Sequence, residues 1–185
     1  MKLTPLYAQT YPKTFSRLLF VSGFFSLALL IVLHRVDVHL RTTAAPLGII
    51  SFELAPGFYA SQQMVQSWDA VAKMYAAFSL GIDYLFMISY ALFLSLLCML
   101  FTRKFSEKRI LFNAGILISY GLWLAALLDA VENYALFRLL FGSSNTFYPT
   151  LASASASIKF TIILLSLIFI LYAGIELIIN KNKTA

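Results

Sequence analysis

Four predominantly apolar segments, each long enough to cross a bilayer, constrain this chain more than anything else in it: residues 14–40, 68–101, 110–141 and 149–180. A helix needs about 20 apolar residues to traverse a hydrocarbon core of about 30 Å. In lipid the backbone must satisfy its own hydrogen bonds, so runs of this length become helices. The composition agrees, with 61% hydrophobic and only 12% charged residues, where soluble domains run near half apolar and a quarter charged. The expected fold is an all-α integral membrane protein, a four-transmembrane-helix bundle with a short helical outer cap between helices 1 and 2. No stretch resembles a hydrophilic linker, which predicts one polytopic membrane domain over residues 1–185.

The helix limits follow from local signals. The basic start (Lys2, Lys13, Arg17) before an apolar run has the layout of a signal peptide. A small-x-small cleavage site should then follow, and His34-Arg35-Val36-Asp37 stands there instead. The first run is therefore read as a permanent helix, about 14–40. Residues 47–66 form the expected cap, apolar around Glu53, with a Pro56-Gly57 turn. It is expected to lie across the bundle end or in the interface plane, presenting Phe52, Phe58, Tyr59 and Trp68. Ser67 is the expected N-cap of the second helix, about 68–101. The third, about 110–141, stops at Gly142, a good residue for the left-handed position after a helix. The fourth, about 149–180, opens with Pro149, which suits a first turn.

The net charge of +6 gathers at the N-terminus, at the 102–109 turn and at the C-terminus. In a soluble protein such a balance points to nucleic acid. Beside apolar spans it sets orientation, so no nucleic-acid partner is predicted. The positive-inside rule places both termini in the cytoplasm, in a bacterial cytoplasmic (inner) membrane. The single cysteine, Cys98, excludes an internal disulfide and a thiolate zinc site.

Against this apolar background one stretch stands out: Leu128-Asp129-Ala130-Val131-Glu132-Asn133-Tyr134. Two carboxylates and an amide inside a membrane run cost several kcal/mol unless paired. Helical rise places them in depth. From Arg109 to Asp129, and from Arg103 back to Asp83, is about 30 Å; Lys181 back to Lys159 is about 33 Å, and Arg17 to Asp37 about 30 Å. All four helices thus carry an ionisable group at one level, with His34 nearby. Apolar residues continue beyond that level (Tyr75, Ala76, Ala77, Phe78 and Leu80; Tyr134, Ala135, Leu136, Phe137, Leu139 and Leu140), which favours an enclosed polar layer over a solvated interface. On the third helix Gly115, Ser119, Leu122, Ala126, Asp129 and Asn133 share one stripe, and its small residues suit helix contact. Lys159, the only base in its run, requires a carboxylate, for which Asp129, Glu132 and Asp83 are available.

Three chemistries compete for this layer. A carboxylate-bridged metal site lacks the Glu-x-x-His spacing of di-iron bundles, and His34 and His39 are five apart, so no metal is predicted. Acid–base chemistry is open to Asp129, Glu132 and Asp83, since low dielectric and a nearby lysine separate an acid from a base. A purely structural ion network that fixes helix packing is the third. No phosphate loop, dinucleotide or haem motif occurs, and no cofactor is expected. The functional expectation is an acidic outer-leaflet pocket that binds an amphipathic or lipid-linked small molecule with a polar or cationic head. Phe86, Met87, Tyr90 and Leu122 are its expected walls, and Lys159, Asn133, Tyr84, Tyr90, Glu53 and Trp68 its binding residues. Membrane lipids and the amphipathic ligand are the expected partners. An accessory membrane subunit without catalysis, and a small-molecule or ion carrier, are the alternative readings.

Overall fold

The computed structural model describes residues 4–105 and 108–183. Among these the chain is all helical, with no strand: α1 Pro12–Asp37, α2 Ile49–Glu53, α3 Phe58–Ser67, α4 Ala70–Thr102, α5 Arg109–Leu140 and α6 Phe147–Lys183. The helices α1, α4, α5 and α6 are each long and apolar enough to span a membrane. The packing order is α1 on α4, α4 on α5 and α5 on α6, with a lighter contact between α4 and α6; α1 and α6 do not pack substantially on each other. The four long helices therefore form an incomplete ring with a cleft between its first and last members.

Local chemistry sets the helix ends. Asp69, rather than Ser67, caps α4: its Oδ1 accepts the Ala72 N–H at 2.7 Å. A carboxylate at this position also complements the helix dipole. Ser67 instead closes α3, donating to the Met64 carbonyl at 2.7 Å. Gly142 takes a left-handed φ of 87°. Its N–H and that of Ser143 return to the carbonyls of Leu139 and Arg138 at 3.0 and 2.9 Å, which satisfies the open end of α5 as a Schellman motif does.

Helix α4 has 33 residues, about 50 Å at ~1.5 Å per residue, well beyond a hydrocarbon core of about 30 Å. At the end of the bundle where α4 starts, α2 and α3 pack mainly against α5 and α6. There Leu40, Phe52, Trp68, Leu80 and Leu136 form a dry apolar cluster. The expectation that Phe52 and Trp68 face outward is corrected: both are buried, meeting edge to face at 5.3 Å. Trp68 Nε1 donates to the Leu40 carbonyl at 2.8 Å. An indole that satisfies its one donor inside gains more from burial than from an interface. Tyr59 alone of the four aromatics is largely exposed, at 83%.

Small residues bring the long helices close. Gly115, Ser119, Leu122, Ala126, Asp129 and Asn133 are all buried on one face of α5. A Cβ on Gly115 would run into the Thr102 side chain and stand 2.7 Å from the Phe169 ring. Between α1 and α4, the hydroxyl of Ser26 donates to Ser89 at 3.1 Å. The side of α1 turned away from the bundle is apolar, with Phe20, Phe24, Leu27 and Ile31 exposed.

At the end opposite α2 and α3, the segment before α1 folds into the bundle. Leu6 and Tyr7 pack against Phe15, Leu96, Met99 and Ile116. The Tyr7 hydroxyl lies 2.8 Å from Ser95 Oγ and receives the Trp123 indole N–H at 3.1 Å. Arg103 donates to the Tyr7 carbonyl at 2.9 Å and covers the Phe15 ring at 4.4 Å. Tyr7 holds a φ of 61°, a left-handed conformation that a bulky residue adopts only where its surroundings enforce it.

Candidate functional site

The polar residues of three long helices and of α2 meet around Lys159 of α6. Its Nζ lies 2.7 Å from Asp129 Oδ1, 2.8 Å from Glu132 Oε2 and 3.7 Å from Glu53 Oε2. Asp129 and Glu132 sit three residues apart on α5, so both carboxylates fall on the face turned towards α6. Tyr90 of α4 donates to Asp129 Oδ2 at 3.0 Å. Asn133, one turn beyond Asp129, donates from Nδ2 to Asp83 Oδ2 of α4 at 2.7 Å. Lys159, Asp129, Glu132 and Asn133 are all at least 96% buried. The expected pairing of Lys159 with Asp129 and Glu132 is therefore present, with Asp83 beside it through an amide.

Glu53 comes from farthest away in sequence. The chain leaves α1, turns at Gly48 (φ 58°) and runs through α2 back over the cluster. Asp37 anchors that turn, accepting the Ile49 N–H at 2.8 Å on Oδ1 and Arg41 Nε at 3.2 Å on Oδ2. Burial raises the Glu53 carboxyl above its ordinary range; the Lys159 ammonium pulls it down and the Asp129 carboxylate pushes it up again.

A cavity of about 320 Å³ opens beside the cluster. Asp83, Asn133, Asp129, Lys159, Tyr90 and Glu53 all line it. Asp37 and His34 join them, as their shared depth in the sequence implied, while His39 stacks on Tyr75 at 4.2 Å instead. Arg41 and Ser79 add polar groups, and the rest of the wall is apolar: Leu30 and Leu33 of α1, Leu80 and Phe86 of α4, Phe160 and Ile163 of α6, and Leu47, Ile49 and Ile50 from the connection after α1. It occupies the cleft that α1 and α6 leave open.

Several expected site residues lie elsewhere. Glu132 is fully buried behind Lys159 and does not line the cavity. Trp68 belongs to the cluster under α2 and α3. Tyr84 points away, its hydroxyl 3.4 Å from the Ala130 carbonyl. Met87 and Leu122 are core residues packed between helices. Sequence reasoning did not single out Leu30, Leu33 and Phe160, because a lipid-facing apolar residue and one that lines a cleft carry the same signal. Among the described residues, no three His, Cys, Asp or Glu side chains are arranged to hold a metal ion.

Fold and site together define a class: an all-helical bundle with four helices long enough to span a membrane, built around a buried lysine that three carboxylates surround. No protein-family model matches the chain, and no curated protein or solved structure is significantly similar to it.

Proposed function

We propose that this is an integral membrane protein that binds an amphipathic small molecule, taken up sideways from the lipid, in the cavity between α1 and α6. The observation that carries this reading is the cavity itself, polar at its inner wall and apolar towards the cleft. An amphiphile matches that division, with its head against the buried polar groups and its chain leaving between Leu30 and Phe160. In this reading the basic ends face the cytoplasm of a bacterial inner membrane. α2 and α3 then form an outer cap, and the site lies in the outer leaflet. Acid–base chemistry on the bound molecule is a further proposal for the same site: Asp83 and Asp129 reach the cavity, whereas Glu132 acts on it only through Lys159. Saturation of Lys159 by carboxylates supports a second reading, a network that holds α5, α6 and α2 in register without any ligand.

Native mass spectrometry of the protein released with its lipids separates the two. The parent should retain a small molecule, and Ile163→Trp, which fills the cleft without touching the charged groups, should lose it while keeping its melting temperature. A parent without any adduct, or an adduct that survives the substitution, overturns the ligand reading.

A further inference from the structure

We infer that the head of the bound molecule is a protonated amine, seated on Asp83 of α4. This deepens the ligand reading above and rests on it.

Four carboxylates line the cavity against two strong bases, Arg41 and Lys159, and among the described residues Asp83 is the carboxylate with no base within salt-bridge distance. Asp37 spends both oxygens, one on Arg41 and one on the Ile49 N–H. Asp129 spends both as well, on Lys159 and on the Tyr90 hydroxyl. Asp83 receives only the neutral Asn133 amide, on Oδ2. Among the described residues its Oδ1 accepts no hydrogen bond and no base lies within 4 Å of it. Glu53 adds a second free acceptor in the same cavity: its Oε2 is buried without a hydrogen-bond partner, 3.7 Å from Lys159. Both strong bases on the wall, Arg41 and Lys159, are thus paired with carboxylates, while Asp83 and Glu53 keep acceptors to spare.

The wall beside Asp83 suits a cation for a separate reason. Phe86 and Tyr90 lie three and seven residues further along α4, on the same helical face. Their rings pack at 5.3 Å with a 56° tilt, and both line the cavity. Aromatic faces attract a desolvated ammonium through the ring quadrupole, most strongly where water is excluded. A carboxylate with a free oxygen beside two rings is a donor-hungry, cation-favouring subsite. An anionic head would meet Asp83 unscreened, and the two strong bases on the cavity wall, Lys159 and Arg41, already have carboxylate partners. A neutral hydroxyl would satisfy one acceptor and leave the charge unpaired.

The test uses the full-length protein in zwitterionic nanodiscs near neutral pH. Three probes share one tail and differ only in the head: dodecylamine, dodecanol and dodecanoate. Binding is read by calorimetry against empty nanodiscs. Dodecylamine should bind at least about tenfold more tightly than dodecanol, a difference of about 1.4 kcal/mol, and dodecanoate most weakly. Asp83→Asn should bring the amine down to the level of the alcohol. Phe86→Leu, which leaves every charge in place, should weaken the amine several-fold and the alcohol little. Tyr84→Phe, outside the cavity, should change neither. If amine and alcohol bind equally in the parent, or dodecanoate binds best, the ammonium assignment is wrong while the pocket stands. If none of the three binds above the empty-disc baseline, the ligand reading itself fails. An amine preference that survives both Asp83→Asn and Phe86→Leu overturns the placement on α4.

Discussion

Lys159→Met is the substitution on which the charge cluster stands or falls. Methionine keeps the length and apolar stem of lysine and removes only the ammonium. Asp129 and Glu132 then lose a partner at 2.7 and 2.8 Å, and Glu53 one at 3.7 Å. Removing one member of a buried ion pair costs about 3–5 kcal/mol, because the charge left behind is uncompensated. Here several carboxylates are left, which points to the upper part of that range. For a chain of this size each kcal/mol moves the melting point by about 2–4 °C, so the expected fall is about 6–20 °C. Thermal unfolding in mild detergent, followed by loss of helical circular dichroism, measures it. Lys108→Met is the matched control. Lys108 pairs with Glu176, but its side chain is 54% exposed, and an exposed pair contributes about 1 kcal/mol at most. Adding Asp129→Asn and Glu132→Gln to Lys159→Met removes the stranded charges and should restore much of the loss. If Lys159→Met melts within about 2 °C of the parent, or no lower than Lys108→Met, the ammonium is not holding the helices together.

Three further expectations follow from the geometry. In the folded protein Glu53 keeps its proton to higher pH than in the unfolded chain. Its contribution is therefore fully present below the unfolded value and lost as pH rises through the folded one. Melting curves from about pH 5 to 8 should show Glu53→Gln gaining on the parent as pH rises; a constant gap would refute this. Gly115→Ala forces a methyl group against Thr102 and Phe169 and should cost about 1–3 kcal/mol. Gly81→Ala meets no neighbour and should be neutral or stabilising by up to about 1 kcal/mol; similar melting points for the two would contradict the close approach of α5. Cysteines introduced at Gln9 and Ser144, both exposed, should label with a membrane-impermeant reagent from opposite sides of oriented vesicles, Ser144 from outside. The native Cys98 is buried and should stay silent.

Much of the architecture was legible in the sequence because lipid leaves a chain few choices. Four apolar runs had to become helices, and a constant rise per residue turned residue numbers into depths. That single ruler put Asp37, Asp83, Asp129 and Lys159 at one level, and all four line one cavity. The cost of an unpaired lysine then named its partners. What periodicity could not supply was the path of the chain between α1 and α4. Glu53 reaches Lys159 only because Gly48 and Asp37 turn α2 back over the bundle. Trp68 carried the mark of an interface aromatic, yet a single carbonyl, that of Leu40, drew it into the core. The choice between Ser67 and Asp69 as a cap lay in which side chain reached the third N–H, a geometric detail that both residue types permit.

The docking of Tyr7 bears on the order in which the bundle is assembled. Its contacts are with Ser95, Arg103 and Trp123, all of which leave the ribosome long after Tyr7 itself. The segment ahead of α1 must therefore wait, unseated, until the α4–α5 hairpin has formed. Its seating is a late event that registers completion of the hairpin beneath it. α1, held mainly by α4 along its length, is clipped in place only then. Trp123 carries a built-in signal of that moment, since the Tyr7 hydroxyl arrives on its indole N–H. With Trp68, the only other tryptophan, replaced by phenylalanine, the remaining emission would follow the closing of the clip in real time.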